Sequence, residues 1–177
     1  MKRNRFFALA PVLGLASILL YGVTAAPGHG YVSVPAPAFQ PESHDYQYWI
    51  SSGWVRNLDG DSDYYRAPVQ LPHGATLTKL SFFWKDGSAA DGYCQLWQSG
   101  LSGSYALGIA SAATDGDAGL ADSSEVTITM FSTVDNSQYA YGLTVYLPDS
   151  SVEAFGAIVE YVYPVSLPLV LRNFQKQ

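Results

Sequence analysis

From Ala75 to Lys85 the chain alternates by period two: Leu80, Phe82 and Trp84 fall on one side, and Lys79, Ser81, Phe83 and Lys85 on the other. Such alternation is what a half-buried β-strand requires, because successive side chains leave a strand on opposite faces. The pattern recurs. Glu125–Phe131 places Val126, Ile128 and Met130 together, and Tyr139–Leu147 gathers Tyr139, Tyr141, Leu143, Val145 and Leu147. Shorter β-forming runs occupy 31–34, 46–50, 54–57, 64–71, 93–98 and 105–112, and a long one spans 152–163. Turn residues separate them, including Pro72-His73-Gly74, Asp86-Gly87-Ser88, Asp135-Asn136-Ser137 and Pro148-Asp149-Ser150. No stretch after residue 26 carries a helical period, so no crossover helices exist to join parallel strands. The expected fold is all-β: an antiparallel β-sandwich, jelly-roll-like, in a single domain. Pro68 within 64–71 marks an edge position or a bulge, and 114–122 reads as an acidic loop.

The ends of the chain have a different character. Met1–Arg5 is basic, residues 6–23 are apolar, and Thr24-Ala25-Ala26 is small, which is the layout of a secretory signal peptide over 1–26. The alternative is an uncleaved membrane anchor, against which Pro11, Gly14 and Gly22 interrupt the apolar run. The sandwich is expected over 27–163, with 164–177 as an apolar C-terminal tail or final strand. Cleavage after residue 26 removes Lys2, Arg3 and Arg5 and leaves six basic residues against 15 acidic ones. That balance, with no basic cluster, excludes nucleic acid as a partner. No transmembrane span is expected in the mature chain, and the expected location is secreted, extracellular or at the cell surface. A single cysteine, Cys94, cannot close an intramolecular disulfide, so the core alone must hold the domain together. In Tyr93-Cys94-Gln95-Leu96-Trp97, Cys94 shares a face with Leu96 and reads as a buried structural thiol.

Two stretches suggest binding chemistry. Asn57, Asp59, Asp61 and Asp63 alternate through a Gly-containing loop, as in the first half of an EF-hand, and could aim several oxygens at a calcium ion. No glutamate follows at the twelfth position, and the alternative is an acidic turn that needs no ion. A second acidic loop carries Asp115, Asp117 and Asp122. The aromatic residues Tyr46, Tyr48, Trp49, Trp54, Tyr64 and Tyr65 lie close in sequence; exposed together, they would stack on sugar rings or grip a protein. Otherwise they serve core and sheet packing.

Catalytic signals are weak. Gly100-Leu101-Ser102-Gly103 falls one residue short of a nucleophile elbow and lacks its strand–turn–helix context. His29, His44 and His73 have no partner at a productive spacing. Glu125, Glu153 and Glu160 are the strand-borne carboxylates a glycosidase would need, with Glu160 on the Ile158/Val162 face.

The segments Val69-Gln70-Leu71-Pro72-His73-Gly74-Ala75-Thr76 and Val134-Asp135-Asn136-Ser137-Gln138-Tyr139-Ala140-Tyr141, with the ending Leu167-Pro168-Leu169-Val170-Leu171, resemble a recurring module of exported bacterial β-sandwich proteins. The resemblance implies an exported β-sandwich and carries over no catalytic residues. The expected function is a non-enzymatic binding or adhesion module for a glycan or surface protein, with calcium as a stabilising ion. The alternative is a structural subunit forming homo-oligomers through edge strands or the tail. A glycan-active hydrolase ranks last.

Overall fold

A computed structural model describes residues 28–103, 105–115 and 119–163. The signal segment, Asp117 and the C-terminal tail lie outside the described residues. The protein is an all-β antiparallel sandwich of two sheets, with one 3-10 turn at Ala36–Ala38. No helix among the described residues is long and apolar enough to cross a membrane.

The first sheet contains β1 (Gly28–Pro35), β3 (Tyr48–Ile50), β4 (Val55–Asn57), β6 (Thr76–Asp86), β9 (Leu120–Thr127) and β11 (Val152–Tyr163). Its order is β3-β4-β11-β6-β9, and β1 also pairs with β11. The second sheet contains β2 (Gln40–Pro41), β5 (Asp63–Val69), β7 (Tyr93–Gly100), β8 (Ala106–Ala113) and β10 (Tyr139–Leu147), in the order β2-β5-β10-β7-β8.

The alternation in the sequence becomes the core. Leu80, Phe82 and Trp84 of β6 face Leu96 of β7 and Leu143, Val145 and Leu147 of β10, all of them buried. Cys94 is fully buried beside them on β7, and burial pushes its thiol far above its ordinary pKa. Burying side chains of this size contributes about 1.5–3 kcal/mol each relative to exposure, which lets a chain with one cysteine hold together without a cross-link.

One strand departs from its expected boundaries at both ends. β9 starts at Leu120, inside the stretch read as a loop, because its backbone pairs with β6 from Asp86↔Leu120 to Lys79↔Thr127. It ends at Thr127, not near Phe131: Met130 is exposed and Phe131 takes a positive φ of 52°, which breaks the strand. Pro68 is tolerated in β5 because β2 pairs only with Tyr65 and Arg66, leaving that side of the strand open at residue 68.

Candidate functional site

Strand parity sends one set of side chains from the second sheet away from the core. On β7 these are Tyr93, Gln95, Trp97 and Ser99; on β10, Ala140, Gly142, Thr144 and Tyr146; on β5, Tyr64, Arg66 and Pro68. The register aligns them in rows across the sheet. Tyr64, Tyr146 and Tyr93 form one row, Arg66, Thr144 and Gln95 the next, and Pro68, Gly142 and Trp97 a third.

The third row holds the site's central group. Gly142 has no side chain, and the Trp97 indole occupies the space above it: a Cβ at 142 would lie 2.3 Å from the ring. The indole Nε1–H donates to Thr144 Oγ1 at 2.9 Å. The ring is therefore held over Gly142 and fixed in orientation, and Trp97 is half-buried. Gly108 on β8 does the same for Gln95, whose amide nitrogen would lie 2.8 Å from a Cβ there. Small residues around a large ring leave a groove of about 410 Å³ lined by Arg66, Gln95, Trp97, Ser99, Ala106, Leu107, Gly108, Ala140 and Thr144. Hollows beside it extend through Ala140 toward Asn136 and through Tyr139 toward Tyr105 and Leu101.

The tyrosine row borders this groove. Tyr146 stacks with Tyr93 at 5.1 Å between centroids and meets Tyr64 at the same distance in a tilted contact. Burial and a hydrogen bond with Tyr64 hold the Tyr93 phenol above its ordinary pKa. Among the described residues neither carboxylate nor imidazole lines the groove; its chemistry is aromatic, amide, hydroxyl and one guanidinium.

The six aromatic residues singled out in the sequence do not form one patch. Trp49 and Trp54 contact each other at 5.7 Å, and Arg56 stands 5.0 Å over the Trp54 ring, at the β3–β4 edge of the first sheet. Tyr65 is fully buried and meets Tyr48 edge-on at 6.0 Å. Tyr64 lies on the opposite sheet's outer face, and Tyr46 is near enough to Glu42, Asp63 and Tyr64 that burial and their charge raise its pKa. Trp97, Tyr93 and Tyr146 were not singled out. The available signal was parity: Tyr93, Gln95 and Trp97 alternate with the apolar Cys94 and Leu96.

The acidic loop closes on itself. The Asn57 side-chain amide donates to the Asp61 carbonyl, Asp59 accepts from the backbone N–H groups of Gln47 (3.2 Å) and Asp61 (3.3 Å), and Tyr65 donates to Asp63 at 3.1 Å. Asn57 and Asp63 are buried, and Asn57 Oδ1 has no hydrogen-bond partner among the described residues. Among the described residues no three His, Cys, Asp or Glu side chains converge as a metal site. Burial pushes the Asp63 carboxyl above its ordinary pKa, against the Tyr65 hydrogen bond and helped by the charges of Asp59 and Asp61.

That shift has a measurable consequence. The folded state holds the Asp63 proton more tightly than the unfolded chain, so this group favours folding most below its unfolded pKa, and the advantage is lost as pH rises through the folded one. In metal-free buffer, Asp63→Asn is expected to raise Tm at pH 7, and its gain over the parent should shrink as pH falls toward about 4. An equal increment at both pH values would refute this.

The remaining acidic and histidine residues are dispersed. Glu125 and Glu160 share Lys79 at 3.0 and 2.8 Å, and Glu153 lies 3.5 Å from Arg56 and 3.7 Å from Lys85, all on the outer face of the first sheet. Asp115 follows β8, and Asp122 lies within β9. His29 lies on β1, His44 is exposed, and His73 Nδ1 accepts from the Asn136 N–H at 3.2 Å in a turn. Gly100-Leu101-Ser102-Gly103 forms the turn between β7 and β8, not a strand–turn–helix elbow.

An antiparallel two-sheet sandwich with an aromatic groove on one outer face is the class of protein these observations define. No family model matches the sequence, and no curated protein is significantly similar to it. Solved structures with a similar chain path include the CBM22-1–GH10 modules of Clostridium thermocellum xylanase 10B complexed with xylohexaose, at 15% identity and TM-score 0.48 over 78% of this chain and 28% of that one. Others are the carbohydrate-binding module CBM29_1 of Piromyces equi (10% identity, TM-score 0.48, 75% of this chain and 91% of that one) and the C-terminal CBM6 of LamC from Zobellia galactanivorans (12% identity, TM-score 0.46, 73% and 98%). This chain spans just over a quarter of the first of these.

Proposed function

We propose that the outer face of the second sheet binds an extended oligosaccharide, and that the protein is an exported, non-enzymatic glycan-binding module. The Trp97 ring carries this reading: it lies over Gly142, is fixed by Thr144, and lines a groove together with the Gln95 amide and the Ser99 and Thr144 hydroxyls. The C–H face of a pyranose packs on such a ring, while its hydroxyls exchange hydrogen bonds with groups such as Gln95 and Ser99. A groove of this size fits a small-ligand site. The placement of Glu125, Glu153 and Glu160 on the other sheet, each in an ion pair, supports binding rather than glycoside hydrolysis. Native gels cast with soluble xylan, mixed-linkage β-glucan, laminarin or galactomannan are expected to retard the purified chain. Unretarded migration in all of them, together with a blank glycan array, would overturn the proposal.

Calcium at the 57–63 loop is a second proposal. The unpartnered Asn57 Oδ1 and the buried Asp63 favour it, because a cation would satisfy the first and offset the desolvation of the second. Millimolar calcium should then raise Tm relative to chelator in the parent but not in Asp63→Asn. A Tm indifferent to calcium would dismiss the ion.

A further inference from the structure

We propose that the groove selects a glycan bearing carboxylates, a uronic acid unit, through Arg66. This inference rests on the glycan-binding reading. Arg66 occupies the row between the Trp97 and tyrosine rows, in register with Thr144 and Gln95. The other basic residues on described strands, Arg56, Lys79 and Lys85, all belong to the first sheet. Among the described residues Arg66 is thus the lone Arg or Lys on this face, and no acidic side chain lines the groove with it.

Its existing partner leaves it available. Arg66 Nη2 donates to Glu42 Oε1 at 2.8 Å from the rim, its only side-chain hydrogen bond among the described residues. Both partners are open to water, at 56% and 41% exposure, the most exposed Arg or Lys ion pair among the described residues. Exposed pairs of this kind contribute little, so a ligand carboxylate can displace Glu42 at small cost. A guanidinium has five N–H donors in a planar fork and receives a carboxylate on two of them at once. The spacing sets where the charge must lie. Trp97 and Tyr93 are four residues apart on β7, about 13 Å at the rise of a strand. Arg66 stands level with the middle of that span but two strands across the sheet on β5, about 10 Å to the side, so a chain of sugars spanning both platforms has to carry its carboxylate on a branch that reaches from its middle toward β5.

The test is calorimetric titration of the purified chain with xylohexaose and with a xylo-oligosaccharide of matched length bearing one glucuronic acid unit, at low and high salt. The acidic ligand is expected to bind about tenfold more tightly, with a preference that falls as salt rises. Arg66→Gln should reduce the ratio of the two affinities to about one. Glu42→Gln, which removes the competing carboxylate, should increase it. Circular dichroism confirms that each variant is folded. A ratio near one in the parent, or one that Arg66→Gln leaves intact, overturns the inference. Tighter binding of a sulfated oligosaccharide than of the uronate overturns the carboxylate assignment. The two readings fail separately: xylohexaose binding that depends on Trp97, without an acidic preference, ends this inference alone. Absence of binding to every glycan ends both.

Discussion

Trp97→Ala is expected to lower affinity for any oligosaccharide the protein binds by ten- to a hundredfold while leaving the fold in place. Stacking on an aromatic platform at the centre of a site carries roughly 1–3 kcal/mol, and 1.4 kcal/mol is a factor of ten. The fold should survive because the indole lies on the outer face of the second sheet, above Gly142, and the core beneath is made by Cys94, Leu96 and Leu143 from the opposite parity. Titration calorimetry measures the loss, and a denaturant melt of the same sample checks the fold. Unchanged affinity with an unchanged melt would remove the groove as the binding site.

Gly156→Ala is expected to have the largest effect on stability, about 3 kcal/mol or more, or a fall in Tm of roughly 6–12 °C. Gly156 sits at a bulge in β11, between the Ala154 and Gly156 pairings with β6, with φ at +145°. It also faces Pro35 of β1, and a Cβ there would lie 2.6 Å from the Val34 carbonyl oxygen. Backbone cannot yield as a flexible side chain does, so β1 would have to separate from β11 locally. Thermal melting followed by circular dichroism measures the change, and a shift under 2 °C would refute the argument.

The bulge also resolves what alternation could not. Before it, Val152 and Ala154 face the core; after it, Ala157 and Val159 do. One extra residue reverses the parity. Ile158 and Glu160 thus turn outward, and Glu160 meets Lys79. A sequence carries no period that marks such a reversal. The acidic loop has a similar limit: Asn57, Asp59, Asp61 and Asp63 share one spacing along the chain, yet Asp59 and Asp61 stay in solvent while the two at its ends are buried. They belong to β4 and β5, in different sheets, with a turn between them.

By itself the sequence determined the class. Period-two alternation separated by turn chemistry, with no helical period, permits only strands joined by short turns, and one cysteine requires an apolar core to hold them. The pairing of Gly142 with Trp97 and of Arg66 with Thr144 was decided by tertiary structure, because those residues are tens of positions apart and meet only through strand register. The same register separated Trp49 and Trp54 from Tyr64, near neighbours along the chain, onto opposite sheets. Local periodicity is a property of single strands, whereas a groove is a property of several strands side by side.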